Sequence, residues 1–382
     1  MDAAIRLAEF THTFHLGGTE VQVVELLRGL PEGYDVRVSV VKAEGPLMAT
    51  LREMKVWPAE FPIDGSVMRP QTAVQIGRLA LWLKANRIQL LHAHDFYATL
   101  LGVPAARLAG SKVIVGRLDL AHWHSRPQRA VMSRLTRMAD GVVVNAEAIR
   151  TQLIQEEHIP SERITLIHNG LDLPRFDARV KTGLASPLPD VHGEPVIVHV
   201  ANMNHPVKRQ EDLLEALGGL RRQGLKAQLF LVGDGPRRQE LEALARALGV
   251  SEHAHFLGHR TDVPAVYAQA TVGVLCSSAE GLSNAVIEGM ASSLPMVVTR
   301  VGASPDVVHE GVSGYVVEPA APLDLAAALR KVLEHPAEGK KMGRAGRAFV
   351  KRELSLEKMV KHHDALYRRL VLGAMRGNGA VG

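Results

Sequence analysis

The chain has 382 residues, enough for two domains with complete hydrophobic cores, and its aromatic content of 4% is too low for a surface that stacks single-stranded nucleic acid. No apolar run reaches membrane-spanning length, the first residues do not read as a secretory signal, and the single cysteine excludes an intrachain disulfide. We therefore expect a soluble cytoplasmic protein that binds no nucleic acid. The net charge of +5 favours phosphate-bearing ligands or an anionic membrane surface.

Short apolar strands alternate with helical segments along the first half of the chain. This alternation predicts a doubly wound parallel sheet, in which ligands gather at the carboxyl ends of the strands. The predicted strands lie at 5–10, 35–41, 88–94, 112–116 and 141–145, and 164–172 holds a further strand that stops in an Asn-Gly turn. One edge of this sheet is expected to collect Gly17, His94, Asp95, Arg117 and Asp119.

The first strand is followed by Gly17-Gly18 and a helical segment, a context in which backbone can approach a phosphate closely. The alternative is an ordinary tight turn, because the third glycine and the downstream acid of a dinucleotide-binding fingerprint are missing. A later strand ends in His92-Ala-His94, and we expect only one of these histidines to reach the edge of the sheet. The alternative for each is an ordinary histidine near a strand end.

An arginine-rich stretch follows, in which Arg126, Arg129, Arg134 and Arg137 fall within roughly 140° of one another on a helix. Such a face suits an anionic acceptor or an anionic lipid surface, and the alternative is a solvated helix face. From 173 to 195 the sequence is rich in Pro, Asp, Gly and Ser with little periodicity, so we expect an interdomain linker there.

The second half repeats the alternation from 196 onward and is organised around Glu280-Gly-Leu-Ser-Asn-Ala-Val-Ile-Glu288. An apolar strand precedes this stretch and a helix follows it, with Ser283 or Asn284 as the expected N-cap. A strand end, a tight turn and a helix N-terminus together form an anion site, and the two carboxylates can accept hydrogen bonds from hydroxyl groups on either side of it. A nucleotide sugar has this order of groups: hydroxyls, diphosphate, hydroxyls.

Glu280-x7-Glu288, together with Val232-Gly-Asp-Gly-Pro236 and the order of the neighbouring motifs, resembles the retaining glycosyltransferases of family 4. The resemblance covers essentially the whole chain and is strongest over 196–319. It implies the GT-B fold, an α/β architecture of two Rossmann-like doubly wound domains that face each other across an interdomain cleft. The implied segments are an acceptor-binding domain at 1–172, the linker at 173–195, a nucleotide-sugar-binding domain at 196–355, and a C-terminal helix with a tail at 356–382 that crosses back to the first domain.

The resemblance also implies roles for single residues. Glu280 would contact the donor sugar, Glu288 the nucleotide ribose, and Lys208, by its distance from the following helix, the donor diphosphate. Main chain near His259 and Arg260 would read the base. The implied donor-binding set is Gly17, Gly18, Lys208, Arg209, Gly233, His259, Arg260, Glu280, Leu282, Ser283, Asn284 and Glu288.

Two positions depart from the family pattern. The arginine expected ahead of Lys208 is absent, which leaves Arg209 or nearby asparagines to compensate. No histidine directly follows the strand that ends at Gly116, so Asp119 or His122 is the expected substitute near the reacting sugar. The candidate catalytic residues are Glu280, Lys208 and Asp119, and the acceptor-side candidates are His94, His122, Arg126 and Arg129.

The function implied by the resemblance is retaining transfer of a hexose-type sugar from a nucleotide-diphosphate sugar, with UDP favoured, to a hydroxyl of a glycan or lipid-linked acceptor in surface polysaccharide synthesis. We expect no metal and no cofactor, because Lys208 and the helix dipole supply positive charge and no acid-rich Asp-x-Asp segment is present. Peripheral contact with the inner face of the cytoplasmic membrane is a further expectation. The alternatives are a GT-B-type sugar-nucleotide epimerase or hydrolase, and a non-catalytic nucleotide-sugar-binding subunit.

Overall fold

A computed structural model describes residues 4–63, 69–120 and 125–378, which divide into two compact units. The first unit combines the chain up to Gly170 with the last helix, which begins at Leu356. The second unit is the continuous segment Leu171–Ser355. Among the helices in the described ranges, none is both long enough and apolar enough to cross a membrane.

The first unit is built on a parallel sheet of β-branched and apolar strands. Its strands are β1 (Ile5–Thr11), β2 (Tyr34–Val40), β3 (Ala59–Glu60), β4 (Leu90–Ala93), β5 (Lys112–Arg117), β6 (Gly141–Val144) and β7 (Ile164–Leu166). They lie in the order β3-β2-β1-β4-β5-β6-β7. The helices between them are α1 (Gly18–Gly29), α2 (Leu47–Glu53), α3 (Pro70–Ala85), α4 (Phe96–Ala109), α5 (Arg126–Met138) and α6 (Glu147–Gln155).

The second unit repeats this architecture. Its strands are β8 (Val196–Val200), β9 (Gln228–Val232), β10 (Ala254–Gly258), β11 (Val272–Leu275), β12 (Met296–Thr299) and β13 (Gly314–Val317), in the parallel order β10-β9-β8-β11-β12-β13. Its helices are α7 (Leu173–Thr182), α8 (Gln210–Arg222), α9 (Arg238–Ala247), α10 (Val263–Tyr267), α11 (Asn284–Ala291), α12 (Ser304–Val307), α13 (Pro322–Glu334) and α14 (Pro336–Glu353). The last helix, α15 (Leu356–Asn378), belongs to the first unit.

The central strands of the first sheet contribute side chains to two separate hydrophobic cores, one on each face of the sheet. This follows because successive residues of a strand point to opposite faces. Phe10 and Leu91 pack in a core with residues of α3 and α4. Leu7 and Leu90 pack in the other core with residues of α1 and α15, among them the fully buried Tyr367. Both faces of the sheet are therefore covered, which explains why its strands read as nearly continuous apolar runs.

The stretch predicted as a linker at 173–195 begins with a helix. Asp172 caps α7 by accepting a hydrogen bond from the backbone N–H of Arg175 over 3.1 Å, and Phe176 is the buried residue of the helix. The helix packs against α10, and Arg347 of α14 forms an ion pair with Asp177 over 2.6 Å. The first ten residues of the predicted linker therefore form a helix, which the sequence did not reveal because one buried side chain leaves too little periodicity.

Candidate functional site

Lys208 and Glu280 form an ion pair in the second unit. Lys208 Nζ donates to Glu280 Oε1 over 2.6 Å, and Ser277 Oγ donates to the same oxygen over 2.6 Å. The lysine and glutamate side chains are 21% and 12% exposed, so water screens the pair only weakly. Within the described ranges Glu280 Oε2 has no hydrogen bond, which leaves one carboxylate oxygen to accept from a bound hydroxyl group.

Loops at the carboxyl ends of two paired strands position this ion pair. A single 3₁₀ turn, Pro206–Lys208, follows β8 and presents the lysine. Cys276, directly after β11, donates from Sγ to the carbonyl oxygens of Lys208 and Arg209 over 3.2 Å each. Because β8 and β11 are neighbours in the sheet, Glu280 comes from the same edge as Lys208. Ser277 and Cys276 are site residues that the sequence alone did not identify.

Arg209 holds the backbone beside Lys208. Its φ of 48° lies in the left-handed region, which residues other than glycine rarely adopt. Its guanidinium makes a two-point ion pair with Asp212 in the first turn of α8, with Nη2 and Oδ1 2.6 Å apart. With Nε and Nη2 engaged by Asp212, Nη1 is the part of the guanidinium that remains to contact a donor diphosphate. Arg209 thus supports the loop beside Lys208, and its donor contact, predicted as compensation for the missing arginine, remains a prediction.

The turn that carries Glu280 packs closely against Gly302, in the loop after β12. Gly302 has a φ of +53°, and a Cβ at this position would overlap the carbonyl oxygens of Glu280 and Gly281. The backbone N–H of Ala303 donates to Gly281 O over 2.9 Å. Only glycine fits this approach without displacing the turn. Gly302 is not among the predicted site residues. The only local pattern that could have indicated it is the presence of a glycine shortly after an apolar strand.

Glu288 lies one turn into α11 and is partly buried. Burial raises the pKa of Glu288 to about 7, while the positive charge of Arg179 acts in the opposite direction. The buried Tyr267 supports this turn by donating from its hydroxyl group to Ala285 O over 2.9 Å. No described residue hydrogen-bonds to the Glu288 carboxylate, so both of its oxygens can accept from a ligand.

The N-terminus of α11 follows directly from the Glu280 turn. Leu282 is buried and anchors the turn, and Ser283 occupies the N-cap position in an extended conformation. The capping bond expected from the Ser283 side chain is not formed, and Asn284 is the first residue of the helix. The first-turn N–H groups therefore receive no bond from Ser283, which suits the approach of an anion.

Gly233 marks a close approach of three strand ends. Its φ is +131°, and a Cβ there would overlap the carbonyl oxygen of Ala201, the residue after β8. Its backbone N–H donates to Gly258 O at the end of β10 over 2.9 Å. The close approach to Ala201 explains why a glycine is needed at position 233. The donor contact predicted for Gly233 remains a prediction.

Arg260 uses its side chain within its own loop. The guanidinium pairs with Asp262 over 2.6 Å and donates to Ser186 O over 2.8 Å, and the side chain is only 6% exposed. His259 beside it is exposed. The prediction for His259 and Arg260 concerns contacts between their main chain and a nucleotide base. Because the Arg260 guanidinium is already engaged by Asp262 and Ser186, the main chain of this loop is the part that can contact a base.

In the first unit, Gly17 is the N-cap of α1 and Gly18 its first residue. The carboxylate of Glu20 folds back onto the loop, so that a Cβ on Gly17 would overlap its Oε2. Burial raises the pKa of Glu20 to about 7, its own backbone N–H acts in the opposite direction, and Asp95 raises it further. A phosphate could approach the two glycines only after this carboxyl group is protonated or turned away. Glu20 is not among the predicted site residues.

Two of the charged residues predicted at the edge of the first sheet have structural partners. Asp95 caps α4 by accepting from the backbone N–H of Ala98 over 2.9 Å. Arg117 is buried and pairs with Glu157 over 2.6 Å. Asp119 lies in the loop after β5 and is half-buried, so its catalytic role remains a prediction.

The other acceptor-side candidates lie in or beside the same region. His122 lies outside the described residues. Arg126 and Arg129 are exposed in the first turns of α5, which opens with a capping box between Ser125 and Gln128. The predicted arginine face is helical and exposed to solvent. This is compatible both with a face that binds an anionic acceptor or lipid and with an ordinary solvated helix face.

His92 and His94 point to the same face of the sheet. Residues two apart in a strand share a face, and the ring centroids are 3.9 Å apart, so the two histidines form one cluster. Only His94 lies beyond the end of β4, whereas His92 lies within the strand. His94 Nε2 lies 2.5 Å from Oε2 of the buried Glu9. Burial, together with the neighbouring His94 and His363, holds the pKa of His92 well below its ordinary value. His94 is therefore engaged inside the first unit by Glu9.

Two family models match the chain and together cover most of it. Residues 16–175 match the model described as Glycosyltransferase Family 4, and residues 194–335 match the model described as Glycosyl transferases group 1. The second match contains the Lys208–Glu280 pair and Glu288, and the first contains the glycine loop of α1.

Named relatives share between a quarter and a third of their aligned residues with this chain. The GDP-mannose-dependent alpha-(1-6)-phosphatidylinositol monomannoside mannosyltransferase of Mycolicibacterium smegmatis is 32% identical over 261 residues, 64% of this chain and 67% of the relative. The N-acetyl-alpha-D-glucosaminyl L-malate synthase of Bacillus anthracis is 28% identical over 223 residues, 58% of each chain. The matched part thus spans little more than half of the latter relative, and 44% of sulfoquinovosyl transferase SQD2 of Arabidopsis thaliana.

Solved structures resemble the chain over nearly its full length. Anabaena Alr3699/HepE, solved in complex with UDP and with UDP-glucose, has a TM-score of 0.81 at 20% identity, covering 95% of this chain and 99% of its own. Sucrose-phosphate synthase from Thermosynechococcus elongatus has a TM-score of 0.79 at 19% identity, covering 97% and 100%. At these identities the likeness shows the fold alone. The GT-B fold with two Rossmann-like parallel-sheet units is confirmed.

Proposed function

We propose the following reaction for this chain, which belongs to glycosyltransferase family 4, the glycosyl transferases group 1. It transfers a hexose-type sugar, with retention of configuration, from a nucleotide-diphosphate sugar to a hydroxyl of a glycan or lipid-linked acceptor. A UDP-sugar is the favoured donor, because the Anabaena protein of the same fold was solved with UDP and UDP-glucose. The role we propose is in surface polysaccharide synthesis.

The observation that carries this proposal is the Lys208–Glu280 pair beside the N-terminus of α11, where the Ser283 side chain forms no capping bond. The ammonium comes from the loop after β8, and the carboxylate with a free oxygen comes from the loop after β11, which leads into the first-turn N–H groups of α11. The Glu288 carboxylate, free of hydrogen bonds from described residues, follows on the same helix. This order of groups matches sugar hydroxyls, diphosphate and ribose hydroxyls.

The chemical step we propose is driven by electrostatic stabilisation of the leaving group. Lys208 and the N-terminus of α11 balance the negative charge that develops on the diphosphate as the glycosidic C–O bond breaks. Glu280 orients the lysine through Oε1 and accepts a sugar hydroxyl through Oε2. The acceptor hydroxyl attacks the anomeric carbon from the leaving-group face and passes its proton to a phosphate oxygen. Configuration is then retained without a protein nucleophile.

The same charge arrangement underlies our proposal that transfer needs no divalent metal at the donor diphosphate. The ammonium of Lys208 is held in a weakly screened position, where its interaction with a phosphate exceeds that of a fully hydrated lysine. Turnover in excess chelator is the expected result. A strict requirement for Mg²⁺ or Mn²⁺ would contradict the role given to Lys208.

For the acceptor we propose an anionic or lipid-linked glycan presented at the inner face of the cytoplasmic membrane. The supporting surface is α5, where Arg126, Arg129 and Arg134 are exposed. Val131 and Met138 on the same helix are 41% and 40% exposed. Arginines beside exposed apolar side chains suit peripheral contact with anionic lipid.

The experiment that tests the function begins with binding. A thermal-shift series of UDP, GDP, ADP and their sugar conjugates ranks the donors, because a ligand that binds the native state raises the melting temperature. The preferred conjugate is then assayed with and without acceptor glycolipids for release of nucleoside diphosphate. Transfer to an acceptor supports the proposal. Conversion of the sugar nucleotide without an acceptor favours the epimerase or hydrolase, and binding without turnover favours the non-catalytic subunit.

Substitution of Lys208 connects that assay to the structure. Lys208→Met should lower kcat by about 100- to 1,000-fold, because it removes one charge that stabilises the leaving diphosphate. Lys226→Met, at an exposed lysine of the same unit, is the matched control and should leave kcat unchanged. A Lys208→Met enzyme with undiminished kcat would overturn the proposed mechanism.

A further inference from the structure

A buried cluster in the first unit has no part in the proposed transfer reaction. Glu9 of β1 and His92 of β4 are register partners in the parallel sheet, and His94 follows on the same face. The three side chains are 0%, 1% and at most 6% exposed. Their neighbours on this face, such as Leu7 and Leu90, are apolar core residues. A carboxylate and two imidazoles at such positions require a physical reason.

The donor atoms of these side chains converge. Glu9 Oε2 lies 2.5 Å from His94 Nε2 and 3.5 Å from His92 Nδ1, and the three ligand atoms all lie within 4.8 Å of one another. Glu9 Oε1 accepts a hydrogen bond from the Tyr367 hydroxyl over 3.0 Å. The same hydroxyl lies 2.8 Å from His92 Nδ1. The fully buried Tyr367 of α15 therefore braces the cluster.

Protein groups alone leave this cluster incompletely satisfied. The ion-pair partners of Glu9 within the described ranges are the two histidines, so no lysine or arginine there balances its buried carboxylate. His92 Nε2 is buried and has no hydrogen-bond partner among described residues. A cavity of about 30 Å³ adjoins the cluster, lined among others by His92, His94, His168 and His363. This volume is enough for a water molecule as an additional ligand.

We propose that Glu9, His92 and His94 bind a divalent transition-metal ion, with Zn²⁺ as the best match. Two imidazoles and one carboxylate form a borderline-hard ligand set that suits Zn²⁺, and three protein ligands leave a fourth position for water from the cavity. Tetrahedral bond lengths of about 2.0–2.1 Å place ligand atoms about 3.3 Å apart, so the Glu9–His94 contact must open while the distance from Glu9 to His92 Nδ1 already fits. To bind the ion, His92 Nδ1 exchanges its contact with the Tyr367 hydroxyl for the metal.

The proposed ion has a structural consequence. It would join β1 and β4 directly, and α15 through the hydrogen bond that Tyr367 donates to Glu9 Oε1. It is separate from the donor diphosphate, which we assign to the second unit, so a metal-independent transfer reaction and a metal in the first unit are compatible. His94 is then a metal ligand and not an acceptor-side group.

The test uses the full chain stripped with a strong chelator under native conditions and then titrated with Zn²⁺. We expect one tightly bound ion per chain by elemental analysis, and a melting temperature about 5 to 10 °C higher when free Zn²⁺ is about 100 times Kd. Co²⁺ in place of Zn²⁺ should give the visible absorption of a tetrahedral site. Absence of bound metal, of a thermal shift or of this spectrum in the wild-type chain overturns the proposal.

Variants then assign the ligands. Tyr367→Phe removes only a supporting hydrogen bond and should weaken Zn²⁺ binding by about 10- to 100-fold. Glu9→Gln keeps the shape of the side chain but removes the anionic ligand, so its loss of Zn²⁺ binding should be larger. His199→Gln, at a buried histidine of the second unit, is the matched control and should leave Zn²⁺ binding intact. Equal loss in His199→Gln, or full binding in Glu9→Gln, would place the metal elsewhere and reject this site.

Discussion

Replacing Glu288 by glutamine should stabilise the second unit at pH 8 while it weakens nucleotide binding. Burial raises the pKa of Glu288 from 4.5 to about 7, so between these values the folded state holds a proton that the unfolded chain has released. The stability linked to this proton is fully present below pH 4.5 and is lost as the pH rises through 7. At pH 8 the buried carboxylate is therefore a cost that a neutral amide removes.

The size of the effect follows from the pKa of Glu288. The difference between 4.5 and about 7 corresponds to about 3 kcal/mol. The side chain is partly exposed, and water screens part of this energy, so about 1 to 2 kcal/mol is expected at pH 8. For a unit of this size that is a rise of about 2 to 8 °C in melting temperature.

The assay compares the thermal unfolding of wild type and Glu288→Gln at pH 5 and pH 8, with Glu215→Gln, at an exposed glutamate of α8, as the matched control. Glu288→Gln should gain stability at pH 8 and little at pH 5, and Glu215→Gln should gain none at either pH. Calorimetric titration should show nucleotide Kd weakened by about tenfold or more, because ribose hydroxyls lose a charged acceptor. Equal gains at both pH values, or no gain at pH 8, would refute the burial argument, and unchanged Kd would refute the ribose role.

Two further substitutions test the supports of the two units. Gly302→Ala should destabilise the second unit by at least about 2 kcal/mol more than Gly311→Ala, because both glycines have positive φ but only Gly302 lacks space for a Cβ; equal losses in urea unfolding would show that the close approach to the Glu280 turn is unimportant. Arg117→Met should cost about 3 to 5 kcal/mol, because it leaves Glu157 poorly solvated and unpaired, whereas Arg300→Met at an exposed pair should cost less than about 1 kcal/mol; similar losses for the two arginines would contradict the burial argument.

Much of the architecture could be predicted from the sequence, because parallel strands covered on both faces are continuous apolar runs bounded by turns. The strand predicted at 5–10 is observed at Ile5–Thr11, and the apolar run before Glu280 is observed as Val272–Leu275. The family resemblance supplied Lys208 and Glu280 as separate candidates. Their direct contact across 72 residues is a property of the folded loops, and no local pattern could reveal it.

The features that escaped prediction depend on distant partners. Glu9 lies within an apolar strand and looks like an ordinary polar residue, because its partners are His94 and, 358 residues away, Tyr367. The supporting role of Arg209 depends on a left-handed backbone that charge alone does not suggest. Gly302 depends on the shape of a loop from another strand. One sequence carries no record of such pairings.

The membership of α15 in the first unit has a consequence for the biosynthesis of the protein. The core that contains Leu7 and Leu90 also contains Met359 and Tyr367, which leave the ribosome only after the whole second unit has been made. At about 5 to 20 residues per second that interval is roughly 10 to 40 s. The first sheet must wait that long with one apolar face unfinished, whereas the second unit is continuous in sequence and can complete its core as it emerges. The unit begun first is therefore the last to be finished.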